Sequence, residues 1–86
     1  MSPHLKISEA LHEKIKKHEK SLIEIFVILF EKPTDLVIKE LKSLMEIRDI
    51  SDVYPYMIYG VSYPENIEKI SKLNYVRAVE NVPYYQ

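Results

Sequence analysis

The run SLIEIFVILFE, residues 21–31, limits what this chain can become more than any other stretch. It is rich in β-branched and aromatic residues, which suit a pleated surface, so it predicts a strand. Successive side chains of a strand point to opposite faces. Ile23, Ile25, Val27 and Leu29 therefore share one face, and Phe26, Ile28 and Phe30 share the other with Glu24. A strand that is apolar on both faces belongs at the centre of a sheet and asks for cover on both sides.

The segments around it alternate in type. In KPTDLVIKELKSLME, Thr34 is a fitting N-cap and Pro33 precedes it, and Leu36, Val37, Leu41, Leu44 and Met45 recur close to the helical period. IRDISDVYPYMIYGVSY predicts two strands, about residues 47–54 and 57–63. They turn near Pro55, since proline cannot donate to a ladder. PENIEKISKLN predicts a short helix with Pro64 in its first turn, Ile67, Ile70 and Leu73 as its apolar stripe, and Asn74 as its C-terminal cap. YVRAVENV is the last strand. Ahead of all this, residues 8–20 predict a helix capped by Ser8, with Leu11, Ile15, His18 and Leu22 as a narrow stripe and Lys14, Lys16, Lys17 and Lys20 opposite. It reads as a lightly docked extension with His18 half-buried, so residues 1–20 form an N-terminal helical extension and residues 21–86 the domain proper.

After that first helix the order is β-α-β-β-α-β. This predicts a ferredoxin-like α+β sandwich, a four-stranded antiparallel sheet with two helices on one face. The other face is open. If the Ile23 side meets the helices, Phe26, Ile28 and Phe30 lie on the open side, and a patch of that kind calls for a cover. The N-terminal helix, a second copy of the chain and a different protein are the candidates.

The 86 residues suffice for one small domain, and with 47% apolar residues the core can be a real one. Cysteine is absent, which excludes disulfides and thiolate metal sites. The net charge of −1 offers no general attraction to nucleic acid or anionic lipid. Gly60 is the only glycine, which excludes Gly-rich phosphate loops and the serine nucleophile elbow. His12 and His18 fall on different helix faces, and His4 stands apart, so no metal pair forms. The carboxylates of Asp49, Asp52, Glu65, Glu68 and Glu80 scatter over turns and exposed positions. Tyr59 and Tyr63 lack the basic, aromatic setting of an RNA-binding sheet. The expectation is a non-enzymatic protein without cofactor, metal, nucleic acid or membrane. The polar start, MSPHLKISEALHEKIKK, lacks a signal-peptide core, and the simplest expected location is the cytoplasm.

Two further stretches carry a resemblance. YGVSYPENIEKISKL, residues 59–73, looks like a strand ending in a Gly-aliphatic-small run before a second helix. YVRAVEN, residues 75–81, sets Val76 and Val79 three apart and follows them with Glu80. Placed after β-α-β-β-α, these resemble the subtilisin propeptide-like protease inhibitors over residues 21–86. The resemblance implies an inhibitor, or folding chaperone, of subtilisin-like serine proteases. Its open sheet face, with Phe26, Ile28 and Phe30, would pack on the protease. Glu80, Val82, Pro83, Tyr84, Tyr85 and Gln86 would contact the protease, with the tail entering the active-site cleft. That would account for an ending, Pro-Tyr-Tyr-Gln, with no following element to pack on. The alternative is a small ferredoxin-like oligomerisation or ligand-sensing module, its face covered by the N-terminal helix or by a second subunit in a homodimer.

Overall fold

The first strand sits where its two apolar faces require, in the interior of the sheet. In the computed structural model, which describes residues 6–18 and 20–82, β1 (Ile23–Leu29) pairs on one side with β3 (Met57–Ser62) and on the other with β4 (Val76–Asn81). β2 (Glu46–Ile50) pairs with β3, giving the order β2-β3-β1-β4, antiparallel throughout. The helices are α1 (Glu9–Lys17), α2 (Asp35–Lys42) and α3 (Pro64–Ser71). This is the ferredoxin-like α+β arrangement, with one helix added in front.

The local signals act as expected at the helix starts. Ser8 and Thr34 are N-caps whose side chains accept from the Leu11 and Val37 amides, both at 3.3 Å, and Pro64 opens α3, where a missing N–H costs nothing. The ends differ. α1 stops at Lys17 with His18 as its C-cap, so Leu22 falls outside the helix and is 52% exposed. His18 is exposed rather than half-buried. Lys72, not Asn74, caps α3. Leu36 is 79% exposed, because its position in the first turn of α2 faces away from the sheet. Strand β2 is shorter than its sequence pattern: beyond Ile50 the chain makes an exposed loop with a cis Tyr54–Pro55 bond.

Ile23, Ile25, Val27 and Leu29 all face inward and are 0–2% exposed. They form one core with Leu41 of α2, Ile67 and Ile70 of α3, and Val76 and Val79 of β4. Leu11 of α1 belongs to the same core and is 0% exposed, so α1 lies on the side of the sheet that α2 and α3 occupy. A shallow cleft bounded by His12 and Ile15 of α1 and by Pro64 and Glu68 of α3 marks where those helices adjoin. The N-terminal helix, one of the three candidate covers for the Phe26 face, therefore lies on the opposite side of the sheet. A period-3.6 stripe fixes which side of a helix is apolar but says nothing of which sheet face it meets. The N-terminal segment is also more than a light attachment, since ahead of α1 Ile7 makes a parallel bridge to Val79 and the Ser8 amide donates to the Val79 carbonyl at 3.1 Å.

Candidate protein-binding face

The outward face of the sheet follows from the register. Residues directly opposite one another in an antiparallel pair share a face. Phe26 stands between Tyr59 of β3 and Glu80 of β4, and Ile28 between Met57 and Ala78. Phe26, Ile28, Met57, Tyr59 and Ala78 thus make a continuous strip across three strands. All five are half-buried, none belongs to the core, and no described element lies over them. Their partial burial comes from one another. The Phe26 and Tyr59 rings sit with centroids 5.6 Å apart at 46°, a tilted contact of the kind aromatic pairs favour.

Polar groups border this strip. The Tyr59 hydroxyl donates to Glu24 Oε2 at 2.8 Å. That bond to a carboxylate, with lesser help from desolvation and from the Glu24 charge, raises the Tyr59 pKa above its ordinary value, and Arg48 opposes the rise. Arg48 Nε stands 3.7 Å from Glu46 Oε2 on β2, an exposed pair that contributes little. The tyrosine is therefore a fixed, protonated part of the face at neutral pH. The charged side chains of β2 also guard its unpaired edge against strand addition.

The expected site residues are only partly brought together. Phe26, Ile28 and Glu80 share the face. Phe30 lies one residue past β1, is 57% exposed, and donates its amide to the Tyr75 carbonyl at 3.2 Å. It lines a cleft with Pro33, Val37 and Tyr75 at the end of the sheet, away from the Phe26–Tyr59 contact. Val82 follows β4 and is half-buried. Pro83, Tyr84, Tyr85 and Gln86 lie outside the described residues. Met57, Tyr59 and Ala78 were not among the expected site residues. The period-two alternation of MIYGVS already put Met57 and Tyr59 on one face, but only the register sets that face beside Phe26 and Ile28.

Among the described residues no cluster of His, Asp and Glu could hold a metal ion, and no helix is long and apolar enough to cross a membrane. Comparison with family models, curated proteins and solved structures gives no match to this chain. The face presents an apolar strip with hydroxyl and carboxylate groups at its margin.

Proposed function

We propose that this protein is a binding domain that docks its open sheet face on a subtilisin-like serine protease, as an inhibitor or folding chaperone, and directs the residues after β4 toward the active-site cleft. The observation that supports this most is the uncovered strip of Phe26, Ile28, Met57, Tyr59 and Ala78 on a sheet whose other face carries all three described helices. Two further features agree with the resemblance in Val76, Val79 and Glu80. Glu80 projects onto the docking face opposite Phe26, and the chain leaves the sheet from the strand that borders this face. A protease–inhibitor interface needs about 800 Å² from each partner, within reach of one sheet face and a tail. Because the face is built on paired strands, little ordering is needed on binding.

The test is a titration of the purified chain against a subtilisin with a chromogenic peptide substrate. The expected result is loss of peptidase activity in proportion to added protein, reaching completion near one equivalent. Activity unchanged at a large excess removes the protease reading. A chain that elutes as a dimer, and whose Phe26 and Tyr59 signals shift on dilution, would assign the face to a second copy.

A further inference from the structure

The N-terminal segment meets the last strand at more points than docking a short helix requires. β4 has β1 along one edge. On its other edge Ile7 bridges Val79, and the Ser8 amide donates to the Val79 carbonyl at 3.1 Å. On its inner face Leu11, 0% exposed, joins the core that includes Val76 and Val79. At its far end the Lys14 ammonium donates to Asn81 Oδ1 at 3.1 Å, and Asn81 is the last residue of the strand. Before its near end the Lys6 ammonium donates to the Leu73 carbonyl at 2.9 Å. Ser8 links the two elements directly: its side chain caps α1 while its backbone amide holds β4.

We propose that Lys14 and Leu11 are positioning residues for the end of β4, with the N-terminal segment clamping that strand, α1 on its inner face and Ile7 and Ser8 on its outer edge, and so fixing where the chain leaves the sheet. A six-residue strand held along one edge opens from its free end at low cost, because terminal pairs are the least protected part of a sheet. The Lys14–Asn81 bond is placed at that end. The same strand turns Ala78 and Glu80 to the opposite, docking face. A partner on the open face and α1 on the inner face thus hold one strand between them. The consequence for inhibition rests on the protease reading; the clamp itself does not.

Site-resolved amide hydrogen exchange on the full chain tests the clamp without a partner. Lys14→Met keeps the aliphatic stem and removes the donor. It should speed exchange at Glu80, whose amide faces β1, by about five- to tenfold, the scale of a lost side-chain hydrogen bond, while Ile58 and Val76 stay at the parent rate. Lys14→Arg should restore protection, and Leu11→Ala should loosen the whole of β4. Unchanged exchange at Glu80 in Lys14→Met, or acceleration spread equally to Ile58, overturns the proposal. Dissociation from a subtilisin supplies the second readout. If the parent binds, Lys14→Met should leave faster, and an equal rate removes the positioning role. If the parent does not bind, only the protease reading falls, and the exchange result still decides the clamp.

Discussion

A methyl group at position 60 would fall inside contact distance of the Glu46 carbonyl oxygen and 2.7 Å from Met45 Cε. Gly60 faces inward opposite Ile25, and the start of β2 passes over it at Ile47. The chain's one glycine is thus explained by close backbone approach and not by an unusual φ. Gly60→Ala forces β2 away from β3, and overpacking of this kind costs about 1–3 kcal/mol, at the upper end where the obstacle is backbone. Urea unfolding should show a lower midpoint at unchanged slope; a variant within 0.5 kcal/mol or so of the parent would mean the strands part without penalty. Tyr75 supplies a pH-dependent counterpart. Its hydroxyl donates to Glu40 Oε1 at 2.6 Å, tying the start of β4 to α2. Burial first, and then that bond and the Glu40 charge, raise its pKa well above the ordinary phenol value. A raised folded-state pKa means that the folded protein holds the proton more tightly than the unfolded chain. The contribution is therefore complete below the unfolded value of about pH 10 and is lost as pH rises beyond it. The stability difference between parent and Tyr75→Phe should be constant from neutral pH to about pH 10 and shrink above it. A difference independent of pH through that range would show that the phenol is not held.

At the scale of elements, α1 separates what a sequence pattern carries from what it does not. Its cap, its first turn and its apolar stripe are all in the sequence. Its depth is not: of the four stripe positions Leu11 is buried, Ile15 half-buried, and His18 and Leu22 exposed. Leu11→Ala should therefore cost about 2–5 kcal/mol, as at other fully buried leucines, whereas His18→Ala should stay within about 0.5 kcal/mol of the parent. Chemical denaturation of the two variants side by side checks this, and equal small losses would return α1 to the status of a loose extension. The same division runs through the rest of the chain. β1 was legible because its composition and alternation are local, and so were Thr34 and Pro64 as helix starts. The placement of α1 beside α3, the exposure of Leu36 and the shortening of β2 depend on which surfaces meet after the sheet has formed, and no window of sequence contains that. The uncovered sheet face was half legible for the same reason. Phe26 and Ile28 come from one strand's alternation, but Met57, Tyr59 and Ala78 join them through pairings between residues far apart in sequence, at a register fixed by the inner face.

For the whole molecule the decisive property is that the core and the proposed docking surface lie on opposite sides of one sheet. The inner side carries the core, while the outer side is half-buried and uncovered among the described residues. Changes on the outer side should then separate folding from the proposed binding. Ile28→Glu puts a charge at the centre of the strip, between Met57 and Ala78, where water still reaches it in the free protein. Its cost to folding should stay near the typical 1 kcal/mol of a point substitution. Against a bound partner the same carboxylate would be buried without a counter-charge, a situation that costs several kcal/mol. A chain ending at Val82 makes the complementary change. It keeps every described contact of β4, including the bond from Lys14 to Asn81, and removes Pro83 to Gln86. It should melt at the parent temperature, yet bind a subtilisin at least about thirtyfold more weakly if the two tyrosines fill subsites as aromatic anchors worth roughly 2 kcal/mol or more. Thermal melts and inhibition titrations of both variants give four numbers with one allowed pattern: a parent-like melting temperature for the shortened chain, one lowered by about 4–8 °C for Ile28→Glu, and two large losses of inhibition. Intact inhibition by the shortened chain would place the tail outside the cleft and leave the sheet face as the sole contact. Intact inhibition by Ile28→Glu would do the reverse, and the uncovered strip of Phe26 and Tyr59 would then need a different occupant.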